Sequence, residues 1–488
     1  MMKPEDNLKE KFIKGSLWTM TQQVIFTLLG FIQLMITSRL LTPIDFGIYA
    51  IALFFSSIGK VAFSIGFSGA LVQKKGNIDN YINTAWSSGI MVSVVSILII
   101  MLFIPFACKY YFNNPTSLWP SIVLVLSGIF IPASSSQTIY FIKNIELKKY
   151  FYLQIIPKII SFGLVLFFVF KTRSYWGLVI AMAMENLIYF ILSWIIAPRR
   201  VQFEINKEKF KELYSFGMWL QLKNLVSWAS SNLDVAVVGN VLGSGKLGLY
   251  NRSQSISSYP RNLIDSIINM VAFPVYSKLR TDKDGINMAF NKIQNLSLLV
   301  LSCVILVFWL YGENIVLLVL GEQWIEMSQS FKILASAYIL QGFLFSFNPL
   351  LRSYGYTKCE FLTFIVQIVS MVCLLYPLTN MFDLIGAGVA VLISVLLTLP
   401  LMLFFVYKYT EIRLTPVIVN IIIAISVILI SYLLSSIICI GEINWVMCLI
   451  ISILILFSTY IIVYHLIKKG PGSLIVKDLF SMVRNKLC

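Results

Sequence analysis

GSLWTMTQQVIFTLLGFIQLMITSRLLTPIDFGIYAIALFFSSIG, residues 15–59, and FGMWLQLKNLVSWASSNLDVAVVGNVLGSGKLGLYNRSQSISSYP, residues 216–260, align without a gap at an offset of 201. Trp18 falls on Trp219, Leu41 on Leu242, Gly47 on Gly248 and Tyr49 on Tyr250, while Ser56 and Ser57 fall on Ser257 and Ser258. Chance aligns a few residues in apolar sequence but does not hold one register for 45 positions, so the stretches read as two copies of one unit. Each copy opens with a run long enough for a helix to cross a bilayer, which takes about 20 residues.

The rest of the chain follows the same plan. Apolar residues make up 58% and charged residues only 12% of the 488, where a soluble domain stops near 45–50% apolar (roughly). The surplus lies in runs and not in strict alternation, which argues for helices and against a membrane barrel. Fourteen spans are predicted, at about 16–38, 45–68, 81–106, 117–142, 150–170, 176–197, 213–239, 252–276, 293–311, 328–350, 360–379, 384–406, 416–438 and 444–466. The expected fold is therefore an all-α polytopic membrane protein: two six-helix lobes related by the repeat, plus two C-terminal helices.

A net charge of +16 would suggest nucleic acid in a soluble protein, but no basic, aromatic-interleaved domain exists here. The cations instead set topology. With the N-terminus inside, 27 Lys and Arg fall in inside segments and six outside. That bias predicts both termini in the cytoplasm and an even number of spans. Both copies then begin on the same side, so they are parallel repeats about an axis along the membrane normal. The predicted division is an N-terminal lobe at 1–200, a C-terminal lobe at 201–410, and the extra helices with a basic tail at 411–488. The longest connection, about 198–212, predicts an interfacial helix in EINKEKFKELYSF. Two similar bundles of this kind are expected to enclose a cleft and to rock, opening to alternate sides.

Spans one, two, seven and eight are unusually polar. Lipid cannot satisfy such groups, so they are expected to line a water-filled cavity, with inter-helix hydrogen bonding as the plainer alternative for the hydroxyls. Gln22, Gln23, Ser57, Asn224, Ser258 and Asp265 are the candidate lining residues. Lys60 and Arg261 are repeat mates at the same offset of 201, each about midway along its helix. A cation there costs about 2.5–3.5 kcal/mol on insertion scales, which argues for a use. Two cations facing one cavity suit a diphosphate or another acidic group. The alternatives are an i, i+4 pair of Arg261 with Asp265 and snorkelling of Lys60. Lys223 extends the basic lining. Glu185 and Asp234 are candidates for proton or Na⁺ coupling, with pairing to a neighbouring helix as the competing reading.

Nothing in the sequence predicts catalysis or a resident metal. The seven cysteines are scattered without metal-type spacing, and His465 is the only histidine. GSGK at 243–246 lacks the phosphate-loop spacing and reads as a turn. The predicted outside connections are too short to hold the catalytic loop expected of a polysaccharide polymerase or ligase.

GSLWTMTQQVIFTLLGFIQLMITSRLLTPIDFGIYA, LGLYNR and FPVYSKL resemble signatures of the polysaccharide-transport, Wzx-like branch of the MOP (multidrug/oligosaccharidyl-lipid/polysaccharide) superfamily, including colanic-acid-type exporters. The resemblance implies a flippase that moves an undecaprenyl-diphosphate-linked oligosaccharide across a bacterial inner membrane by alternating access. It also implies a cationic central cavity, for which Lys60 and Arg261 are the matching residues. Its expected partners are the lipid-linked oligosaccharide, membrane lipids and other polysaccharide-assembly proteins, with no cofactor beyond a coupling ion. A multidrug or organic-cation antiporter shares the architecture, but a basic cavity disfavours cationic substrates.

Overall fold

The computed structural model describes residues 4–63, 71, 78–197, 201–438 and 445–466. Among them the chain is helical almost throughout, with no strand. The first helices are α1 (Pro4–Leu40), α2 (Pro43–Phe63), α3 (Asp79–Phe106, prolonged by a π-turn at Ala107–Tyr111), α4 (Leu118–Ser127 and Phe130–Lys143), α5 (Leu147–Thr172) and α6 (Trp176–Ile196). Lys207–Leu279 holds α7 and α8, followed by α9 (Lys283–Val319) and α10 (Ser328–Phe345, continued by Asn348–Ser353). Thr357–Tyr409 holds α11 and α12, and α13 (Leu414–Ile438) and α14 (Trp445–Leu466) complete the order.

Twelve helical stretches among the described residues are long and apolar enough to cross a membrane, but two of them, of 42 and 53 residues, are too long to be single spans. A straight helix of the longer kind would reach about 80 Å through a core of about 30 Å. Both are broken. Gly243 has φ 76° and ψ 177°, a conformation that glycine enters without a Cβ penalty. Asp383 has φ 58°, and its carboxylate accepts the Leu384 N–H at 2.8 Å, capping the helix that follows. The chain doubles back at each break. Tyr250 donates its hydroxyl to the Asp234 carboxylate at 2.7 Å although the two are 16 residues apart. A Cβ on Gly386 would lie 1.8 Å from the Leu378 carbonyl oxygen. Neither contact exists in a continuous helix. Numbers 207–242 and 244–279 are therefore α7 and α8, and 357–382 and 384–409 are α11 and α12, which gives fourteen spans among the described residues of a multi-pass membrane protein.

The chain forms two compact units, residues 1–251 and 252–488. In the first, burial is inverted relative to a soluble protein. On α3, Thr84, Ser87, Ser88 and Ser93 are buried, while Val95, Leu98, Ile99, Leu102, Phe103 and Phe106 form an exposed apolar face at helical spacing. Lipid receives that face, and the small residues let helices approach closely. Pro43 opens α2 with its φ already set for a helix, and Thr42 and Asp45 cap it reciprocally, the Thr42 hydroxyl donating to the carboxylate at 2.7 Å.

The repeat is also visible as a contact. A Cβ on Gly47 would meet the Ser244 carbonyl oxygen at 1.8 Å, and one on Gly248 would meet the Pro43 carbonyl oxygen at 1.8 Å. At an offset of 201, Pro43 corresponds to Ser244 and Gly47 to Gly248. The contact is thus reciprocal: the first turns of α2 and α8 cross backbone to backbone, each glycine making room for the other copy's carbonyl. Around it, α7 packs on the first lobe. Trp228 donates its indole N–H to the Ser57 hydroxyl at 2.9 Å and stacks obliquely on Phe54, and Asn240 donates to the Tyr111 carbonyl at 2.6 Å.

Residues 201–206 differ from expectation. They are not helical, and helix begins only at Lys207, continuous with α7, so no separate interfacial helix forms over EINKEKFKELYSF. The segment is held on α3: Gln202 N–H donates to the Asn83 side chain at 3.2 Å, and Glu204 N–H to the Ser87 hydroxyl at 3.0 Å. Asn206 then caps the helix, accepting from Glu208 and Lys209 N–H. Hydrogen bonds from Lys209 and Asn83 hold the Glu204 carboxyl below its ordinary pKa.

In the second unit, Tyr276, Phe290, Phe343 and Phe347 lie in a core of apolar side chains from α8 to α13. Gly386, Ala390 and Ser394 are buried at intervals of four on α12, which packs against α10 with the Ser330 hydroxyl donating to the Leu384 carbonyl. At the α10–α11 turn, Arg352 clasps Glu360 with two nitrogens, at 3.0 and 2.5 Å. α13 and α14 dock on α9 through polar pairs at successive levels: Asn420 with Asn295, Ser302 with Tyr460, and Tyr311 with Ser452.

Candidate functional site

Each unit places one of the repeat-related cations among polar partners. Lys60 is half-buried on α2 and lies near enough to feel the charges of Glu185 and Lys158. Glu185, on α6, is ion-paired with Lys158 of α5, whose Nζ stands 3.2 and 3.4 Å from the two carboxylate oxygens. The two side chains are 27% and 29% exposed, so the pair is not sealed by helix packing. Three charged groups from three helices therefore cluster in the first unit, two positive and one negative.

Arg261, in the second unit, is seated more firmly. Its guanidinium donates to the Gln341 amide oxygen and lies 3.6 Å from the Asp265 carboxylate, the i, i+4 partner. It also lies over the rings of Tyr338 and Phe345, at 5.2 and 5.6 Å. Gln254 donates to the Tyr338 hydroxyl at 2.7 Å, fixing the ring beneath the cation. Gly342 leaves the space that the arginine stem occupies, since a Cβ there would lie 3.0 Å from Arg261 Cγ. An arginine held by an amide, a carboxylate and two rings is oriented before any ligand arrives, and its planar fork matches phosphate oxygens.

The other sequence candidates are distributed. Gln22 and Gln23 are half-buried on α1, as is Asn224 on α7. Ser57 accepts from Trp228, and the Ser258 hydroxyl donates to the Ser255 carbonyl. Lys223 lies on α7, and its side chain falls outside the described residues. Asp234 is buried at the α7–α8 hairpin, one oxygen taking the Tyr250 hydroxyl and the other the Val235 N–H. Sequence reasoning passed over Lys158, Gln341 and Tyr338. Lys158 was discoverable as one of the few cations inside predicted spans, but its partner is 27 residues away and nothing local points to it.

The sequence profile of a family described as "Polysaccharide biosynthesis protein" matches residues 36–329, more than half of the chain. The chain belongs to that family. This polysaccharide biosynthesis protein is 24% identical over 419 residues to an uncharacterized membrane protein of the cps region of Klebsiella pneumoniae, covering 82% of this chain and 83% of the relative. It is 24% identical over 416 residues to a putative O-antigen transporter of Shigella flexneri, covering 79% and 95%. Its fold is similar to that of the lipid II flippase MurJ in an inward closed conformation, with a TM-score of 0.74 at 16% identity, covering 96% of this chain and all (100%) of that one. The chain therefore has the fold of a MurJ-like helical bundle.

Proposed function

We propose that this protein is a flippase, not an enzyme, and translocates an undecaprenyl-diphosphate-linked oligosaccharide repeat unit across the bacterial inner membrane by alternating access. Both termini lie in the cytoplasm on this reading, as the 27-to-6 distribution of Lys and Arg requires. The observation that carries it is the pair of repeat-related cations, Lys60 and Arg261, each set on a polar membrane helix in a chain of the polysaccharide biosynthesis family. The diphosphate is the part of the substrate that most needs neutralising in a low-dielectric setting, and Lys60 and Arg261 are the candidate cations for it. The lipid tail stays in the bilayer, so only the head group has to be accommodated by protein. Of the two candidate coupling carboxylates, Asp234 is engaged in closing the hairpin, which leaves Glu185 as the one placed to exchange partners.

Lys60→Gln and Arg261→Gln, tested separately, are expected to abolish surface polysaccharide with the protein still present in the membrane and lipid-linked repeat unit accumulating on the inner leaflet. Unchanged export in both variants would remove these residues from the site. Arg261 can also be tested indirectly. Gly342→Leu pushes the arginine stem off its seat and is expected to reduce export nearly as far as Arg261→Gln, whereas Gly342→Ala, meeting only a flexible side chain, should stay within about twofold of wild type. Equal export by the leucine variant would show that the orientation of Arg261 is immaterial.

A further inference from the structure

Tyr150, Gln154 and Lys158 recur at intervals of four along α5, and Glu185 and Tyr189 do so along α6. Four residues are just over one helical turn, so each set forms a single stripe. The structure brings the stripes together. Gln154 donates to the Tyr150 hydroxyl at 3.0 Å, Lys158 grips Glu185, and Tyr189 lies beside Tyr150 while hydrogen-bonded to Thr138 of α4. Lys60 of α2 adds a second cation at the Lys158 end.

Stability gives this arrangement no explanation. A membrane-embedded ion pair roughly breaks even against apolar packing, and the cluster leaves one positive charge over. Lys158 and Glu185 are each more than a quarter exposed, and hydrocarbon cannot satisfy what they expose. Tyrosine and glutamine at four-residue intervals offer donors and acceptors of the kind that sugar hydroxyls match.

We infer that the α5–α6 stripe is a head-group binding strip within the first unit, with Lys158 as a second phosphate-binding lysine beside Lys60 and Glu185 as its displaceable counter-ion. The acidic group takes Lys158 from Glu185, while Tyr150, Gln154 and Tyr189 hydrogen-bond the adjoining sugar. The inference rests on the flippase reading and deepens it.

Binding of undecaprenyl diphosphate to the full-length protein in lipid nanodiscs tests it, with Lys60→Gln and Arg261→Gln measured alongside. Lys158→Gln should weaken binding about tenfold, and Lys158→Arg should retain most of it. Glu185→Gln should strengthen binding several-fold, because Lys158 no longer has to leave a partner. A merely structural pair predicts the opposite sign for Glu185→Gln, together with a lowered melting temperature. Wild-type affinity in Lys158→Gln, or weakened binding in Glu185→Gln, overturns the strip while leaving the flippase reading intact if Lys60→Gln and Arg261→Gln bind weakly. Wild-type affinity in those two variants instead removes the diphosphate reading itself.

Discussion

Alanine at Gly47 or Gly248 is expected to lower the melting temperature of the detergent-purified protein by several degrees and to remove transport. The methyl group would sit 1.8 Å from a backbone carbonyl oxygen of the other repeat, and a backbone carbonyl cannot swing aside as a side chain can. Overpacking costs about 1–3 kcal/mol where side chains yield, so here the upper end or more applies. Both glycines serve one crossing. A displacement that relieves one clash largely relieves the other, so the double variant should be destabilised by clearly less than the sum. Additive effects would mean that the contacts are independent, and wild-type melting of either single variant would contradict the crossing.

The second large effect is expected at Arg352. Its clasp on Glu360 leaves that carboxylate only 6% exposed, while the arginine itself is 38% exposed. Arg352→Gln should cost about 3 kcal/mol, the lower part of the range for breaking a buried pair, because the exposed guanidinium gives up less on removal. Arg352→Lys keeps the charge but not the two-pronged geometry and should fall between. Adding Glu360→Gln to Arg352→Gln should restore much of the loss, since no charge then stays buried. Thermal melting across the four proteins decides the matter, and a double variant less stable than Arg352→Gln would refute the account.

Much of the architecture was legible in the sequence because the membrane imposes it. Span length, cation placement and the gap-free offset of 201 are one-dimensional signals, and they carried the helix count past two stretches that run on as single helices by hydrogen bonding alone. The linker was less legible. EINKEKFKELYSF has the composition of a surface helix, but its first residues stay outside the helix, where the segment is hydrogen-bonded to Asn83 and Ser87, some 117 to 119 positions upstream. The site followed the same rule. Lys60 and Arg261 stood out through the repeat, and Asp265 through its i, i+4 spacing. Lys158, Gln341 and Gly342 did not, because their partners lie on other helices and side-chain direction across a bundle is invisible to spacing. Asp234 attracted attention as a carboxylate in a span, and the structure shows it tied to Tyr250 across a hairpin.

The polar pairs that hold α13 and α14 on α9 join residues 125, 158 and 141 positions apart. While the chain is being synthesised, α9 therefore enters the bilayer before Asn420, Tyr460 and Ser452, which Asn295, Ser302 and Tyr311 meet on the last two helices, have been made. The final hairpin is the late-arriving clamp of biogenesis, and until it is inserted the nascent protein presents hydrogen-bonding groups to any neighbouring helix or insertion factor able to shield them.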